Sequence, residues 1–380
     1  MPRVRPESGR PSLKTARTVA WSVAGLGVLA AIWLAWRAEP ALPTPTVETV
    51  ARAPAVPAQS VPASRAGVDA PVPASAVAHL ANDPRCVIKD TPPTTSADAS
   101  ADSNSPVPAP VVDPRAQASR ARLLARLAGS ADPYANAVAL WLDVDVDSDE
   151  NHLAERRRGL AAMAASSQDP GLYSLALRTC WRRLDHACQA LSARRWSELD
   201  PDNAMPWMMM LDEAATRQDV SGVEEALFHV THARRLAERP LAPLKPIVDA
   251  AGDDPESMVA ARSLAIDAIG ISAAQVAPIA YTACARATAA DANLWQQCVA
   301  MVDVLEHRSD TLMARDVGAR MDRRLTGNVE PGQRLSTQAR ALLALELAAT
   351  SSCDDLRAKL AVMRRMAVEG EVAVARDLAH

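Results

Sequence analysis

Three regimes of hydrophobic patterning divide the chain. Residues 18–36, TVAWSVAGLGVLAAIWLAW, are almost wholly apolar and carry no charge. As a helix they span roughly 28 Å, close to the hydrocarbon thickness of a bilayer. A single transmembrane helix from Thr18 to Trp36 is therefore expected. Residues 37–112 follow neither a helical nor a strand period and are rich in Pro, Ala, Ser and Thr, as in PALPTPTVETV and TPPTTSADASADSNSPVPAPVV. Pro fixes φ and removes backbone donors, so a disordered linker is expected, with a root-mean-square span of roughly 50 Å. One island inside it, AVAHLANDPRCVIKD (76–90), holds Cys86 and several apolar residues and is expected to dock on the folded part.

From residue 113 to 380 the pattern is helical throughout. In GVEEALFHVTHARRL the apolar positions Val223, Ala226, Leu227, Val230 and Ala233 fall on one helical face, and Ala339, Leu342, Leu343, Leu345 and Leu347 recur similarly in QARALLALELAATSSC. Asp-Pro pairs at 113–114, 132–133, 169–170, 200–201 and 254–255 read as helix starts, since Asp caps well and Pro at the first position loses no hydrogen bond. No alternating strand pattern of useful length occurs. The fold class expected is all-α: short-connected helical hairpins in an irregular α-solenoid. RPLAPLKP (239–246) marks an internal joint, with two lobes expected to meet near 239–254.

Charge sets the orientation. Arg3, Arg5, Arg10, Lys14 and Arg17 precede the apolar run against the single acid Glu7. The positive-inside bias makes 1–17 a cytoplasmic tail and places the helical domain on the far side, the periplasm of a bacterial inner-membrane protein. Trp21, Trp33 and Trp36 lie near the ends of the run, where indoles favour the interface. A cleaved signal peptide would put Trp36 or Glu39 at the −3 position, both unsuitable, so an uncleaved anchor is expected. Gly27, Ala31 and Ala35 form a small-residue stripe through which two anchors could pair as a homodimer. Over the whole chain of 380 residues the net charge is only −4 and aromatics are 3%, which argues against a nucleic-acid partner.

The stretch LDPDNAMPWMMMLDEAATRQDVSGVEEAL (199–227) resembles a tetratricopeptide repeat and its joint. Pro201 stands as the closing proline of one unit and Trp207 at the tryptophan position of the next. Met210 and Leu211 then fall where the consensus has Leu-Gly, Ala214 where it has Tyr, and Val223 and Leu227 at the small and bulky positions of the second helix. The resemblance covers one unit and implies helix-hairpin packing, with Asp200 and Pro201 capping a helix at the joint and Trp207 anchoring it in the core.

Six cysteines, Cys86, Cys180, Cys188, Cys284, Cys298 and Cys353, lie on the expected periplasmic side, where an even count suggests disulfides. Six allow fifteen pairings. Two local ones are preferred. Cys180 and Cys188 on one continuous helix would stand about 12 Å apart, so their pairing requires a turn around LDHA. Between Cys284 and Cys298, Asn293 and Gln296 make a capping box that opens a new helix. Cys86 with Cys353 then follows by elimination. No C-x₂-C spacing supports zinc.

Other candidate chemistry is weak. His229 and His232 lack the intervening carboxylate and third ligand of a metal helix. DVDVDSDENH (143–152) alternates Asp143, Asp145, Asp147 and Asp149 but has neither the turn glycine nor the terminal Glu of a calcium loop, and reads as an acidic connection. Arg182-Arg183, Arg194-Arg195 and Arg234-Arg235 read as solvated helix faces. Neither metal, cofactor nor catalytic residues are expected. The function expected is a protein-interaction or scaffold module whose partner is another envelope protein or peptide. The alternative is an envelope enzyme acting on carbohydrate or peptidoglycan through isolated acids.

Overall fold

The computed structural model of the protein describes residues 83–86, 114–143, 149–181, 186–271, 276–285, 291–347 and 350–379. The expected cytoplasmic tail, membrane helix, small-residue stripe and nearly all of the linker lie outside these residues. Within them no helix is long and apolar enough to cross a membrane.

The described residues form fifteen α-helices and no strand. The first five are α1 (Pro114–Ala128), α2 (Pro133–Leu142), α3 (Glu150–Ser166), α4 (Pro170–Cys180) and α5 (Ala193–Leu199). Next come α6 (Ala204–Arg217), α7 (Val220–His232), α8 (Leu244–Ala251), α9 (Pro255–Ile271) and α10 (Val276–Cys284). The last are α11 (Ala292–His307), α12 (Leu312–Thr326), α13 (Glu330–Leu347), α14 (Cys353–Glu369) and α15 (Glu371–Leu378). Short 3₁₀ turns cover Pro84–Cys86 and His186–Ala190.

Local chemistry explains most helix starts. Asp132 and Asp169 accept from the N–H groups of Tyr134 and Gly171, with Pro at the first helical position. Asp254 accepts from Ser257 N–H at 2.9 Å as α9 begins at Pro255. The Asp200-Pro201 pair behaves differently. Asp200 follows the last residue of α5, its N–H donating to Trp196, and α6 begins only at Ala204 with Asn203 as its cap. The Asp200 carboxylate turns inward to Arg235 and to the Asn203 amide, so it has no oxygen to offer the next helix. Pro201 sits exposed in the intervening turn. α11 likewise starts at Ala292 rather than Asn293, because Asp291 accepts from Leu294 N–H.

Consecutive helices pack as neighbours: α1 on α2, α3 on α4, α6 on α7, α8 on α9 and α11 on α12. The α6–α7 pair is close because small residues face each other: a methyl group on Gly222 would lie 3.1 Å from the Ala214 Cβ. Leu211, Met205, Met208, Met209 and Leu227 are buried in and around this hairpin, and the buried indole nearby is Trp196 of α5. Segment 239–254 runs within the single compact unit spanning 81–380, with Leu244 and Ile247 fully buried. There α8 packs on α1, α9 and α14.

The six cysteines pair as Cys86–Cys353, Cys180–Cys188 and Cys284–Cys298, with Cα–Cα distances of 4.8, 5.3 and 5.9 Å. α4 ends at Cys180, and Cys188 lies in the following 3₁₀ turn, which brings the two together. Of the island at 76–90, residues 83–86 are described: Cys86 is fully buried, and the turn packs on α9 and α14.

Candidate functional site

The hairpin α6–α7 carries the most distinctive surface. Four-residue spacing puts Val220, Glu224, Phe228 and His232 along one stripe of α7. Opposite them, Ala226, Leu227 and Val230 are buried. Val220 is 71% and Phe228 55% exposed, and Phe228 is the only phenylalanine of the chain. Isolated exposed apolar residues are ordinary; here the neighbours are aromatic too. Trp207 of α6 is half-buried and stacks on His229, centroids 3.7 Å apart and planes 13° from parallel. Phe228 meets His229 edge-on at 5.5 Å and lies 4.1 Å from the His232 ring. Trp207 is therefore the base of a surface aromatic row rather than a core anchor.

The row sits on rigid backbone. Asp219 caps α7, accepting from Gly222 N–H and Ser221 Oγ at 3.0 Å each, and these bonds hold its carboxyl below the usual range. Gln218 takes the left-handed conformation, φ 58°, that ends α6. The His232 ring nitrogen Nδ1 lies 2.7 Å from the Phe228 carbonyl, and Thr231 Oγ1 donates to the same oxygen at 2.9 Å.

Behind this hairpin a polar seam ties its ends to the neighbouring joints. Ala204 N–H donates to the Arg235 carbonyl, Leu236 N–H to the Arg308 carbonyl and Asp310 N–H to the Leu236 carbonyl, at 2.8, 2.8 and 3.1 Å. Asn203 donates to the Ala237 carbonyl and accepts from Ala237 N–H, while also capping α6 at Met205. Asp310 accepts from the N–H groups of Glu238 and Arg239, and Thr311 Oγ1 donates to Glu238 Oε1 at 2.9 Å. Gly370, φ 89°, closes the seam. Its left-handed turn joins α14 to α15 against Asp310, whose carbonyl would lie 3.4 Å from an added methyl group.

Glu238 and Asp200 are buried at the seam, with Asp310 and Glu371 half-buried beside them. Burial pushes Glu238 up to about 7, offset only in part by the Arg178 guanidinium. Burial also raises Asp310, against the N–H groups donated to it, and raises Glu371, which accepts from Leu312 N–H at 2.9 Å. Desolvation lowers Arg178, whose Nη1 donates to the Glu238 carbonyl. Buried groups tied this closely to backbone donors and acceptors rigidify a joint; they do not converge on open space as acid and base would.

The joint residues Asp200 and Pro201 adjoin this seam and Trp207 the aromatic row. Asp143 ends α2 and Asp149 caps α3, with 144–148 outside the described residues. Among the described residues no group of three His, Cys, Asp or Glu is placed to hold a metal ion. Sequence reading passed over Phe228, although the inward stripe Val223, Ala226, Leu227 and Val230 places it outside by subtraction. It also passed over Asn203 and Glu238, whose partners lie 34 and 73 residues away. Searches against family models, curated proteins and solved structures each return no match.

Proposed function

We propose that this chain is a membrane-anchored scaffold, held by Thr18–Trp36 with its helical domain in the bacterial periplasm. In this reading its tetratricopeptide-like hairpin α6–α7 docks a protein or peptide partner. The observation that carries the proposal is the exposed aromatic row Trp207, His229, Phe228 and His232 on a capped, braced helix. Rigid aromatic side chains bury large area at low entropic cost, and such groups dominate interface energetics. The Pro-rich linker supplies reach between anchor and partner.

The test is a photoreactive residue placed at Phe228 in the full chain in cells, with Glu155 on α3 as the control site. A discrete protein adduct formed from 228 and not from 155, and lost in Trp207→Ala, supports the reading. Equal, diffuse labelling from both sites sinks it. For a purified partner, Phe228→Ala is expected to weaken binding by about 2 kcal/mol. The fold's own stability should shift by less than about 0.5 kcal/mol, because the side chain is largely exposed.

A further inference from the structure

Away from the aromatic row, a cleft of about 640 Å³ opens where the first turns of α2 and α4 meet the Arg239–Pro246 segment and the end of α1. That size lies within the range of small-ligand sites. Its floor is Gly171. The backbone there is ordinary helix, so φ and ψ make no demand for glycine; the demand is for space. A methyl group on Gly171 would stand 3.1 Å from Asp169 Oδ1, 3.5 Å from Arg239 Nη1 and 3.7 Å from Tyr134 Cε2. Polar side chains from three separate elements thus converge on one point that carries no side chain of its own.

Their charges are arranged asymmetrically. On the far wall Lys245 and Asp249 satisfy each other at 2.7 Å, and Asp249 also takes Arg364 at 2.6 Å. At the floor, Asp169 and Asp132 use one oxygen each as helix caps, at 2.7 and 2.9 Å. Both carboxylates line the cleft. Arg239 is held at φ 52° directly before Pro240, a left-handed backbone that costs an arginine about 1 kcal/mol or more. Its ion pair is a long one, 3.6 Å to Asp200, whose other oxygen already serves Arg235.

We propose that this cleft binds a small zwitterion, an amino acid or short peptide with free termini. The ligand carboxylate meets Arg239, and its ammonium meets Asp169 and Asp132. A simple anion would face two aspartates and a simple cation a guanidinium; a ligand bearing both signs leaves neither unpaired. Leu127, Ala242 and Pro246 offer an apolar wall for its remaining atoms.

Calorimetric titration of the full chain tests this with alanine, trialanine, N-acetyl-trialanine and trialanine amide. At least one free-termini probe should bind, and blocking either terminus of trialanine should weaken binding about tenfold or more. Tight alanine binding identifies a free amino acid; binding by trialanine alone identifies a peptide. Arg239→Gly keeps the left-handed backbone while removing the guanidinium, and Gly171→Ala fills the floor. Each should weaken binding about tenfold or more, with a native far-UV circular-dichroism spectrum showing that the variant is folded. Absence of binding by both free-termini probes up to about 10 mM overturns the proposal. So does affinity unchanged in both variants, or equal binding of the blocked and free tripeptides.

Discussion

The polar seam and the disulfides secure different parts of the molecule by opposite means. In the seam, joints at 200–203, 233–239, 308–311 and 370–372 meet through backbone hydrogen bonds, a shared asparagine and buried charge, with no cysteine among them. The cystines fasten other segments: the 83–86 turn, the turn after α4, and the connection from α10 to α11. Where several joints crowd together, each supplies donors and acceptors for the next. The segments the cystines fasten carry hydrogen bonds as well, Ser192 N–H to the Tyr173 hydroxyl and Arg324 to the Ala285 carbonyl, and the covalent bond adds to these. The seam specifies one arrangement of hairpins; the cystines limit how far the chain can stray from it.

The comparison can be broken most forcefully at Cys86–Cys353, which closes a sequence separation of 267 residues. Replacing both cysteines by serine should cost about 5.5 kcal/mol in the chain-entropy treatment, against about 2.5 kcal/mol for the 8-residue separation of Cys180–Cys188. Urea unfolding of the two double variants measures the difference, and equal losses would show that loop length is not what matters. In the seam, Arg178→Met should cost about 4 kcal/mol at pH 8, because Glu238 and Asp310 lose their buried cation. The loss should shrink at pH 5 as Glu238 takes up a proton.

A third measurement uses pH alone. Glu238 rises from 4.5 unfolded to about 7 folded, so the folded state binds the extra proton and stability increases as pH falls. The gain should total about 3 kcal/mol, most of it between pH 8 and pH 5, and Glu238→Gln should flatten it. Near pH 4 the trend reverses, because the cap aspartates Asp219 and Asp254 have lowered values and lose their stabilisation on protonation. The smallest effect belongs to Asn203→Ala, about 2 kcal/mol for one cap and three buried hydrogen bonds. A loss below about 0.5 kcal/mol there would mean that the backbone bonds of the seam suffice.

How much of this was legible beforehand depended on how far each residue's partners lie along the chain. The all-α class and the starts at Pro133, Pro170 and Pro255 follow from apolar spacing and from caps that reach two or three residues. The same Asp-Pro reading failed at Asp200, because Arg235, 35 residues on, claims the carboxylate. Trp207 looked like core because large apolar residues usually are; the neighbouring Met208 and Met209 took the inward positions instead. The cleft had no local signature at all. Gly171, Tyr134 and Arg239 are unremarkable singly, and only the packing of α2, α4 and the 239–246 segment brings them together.

The Cys86–Cys353 bond has a mechanical consequence. A pull on the chain ahead of residue 83 enters the folded body at Cys86 and crosses directly to the start of α14, so α1 carries none of the load. Reducing that one bond moves the first point of attachment to Pro114, where α1 begins. The cystine thus acts as a shackle that fixes where a force applied ahead of it enters the domain.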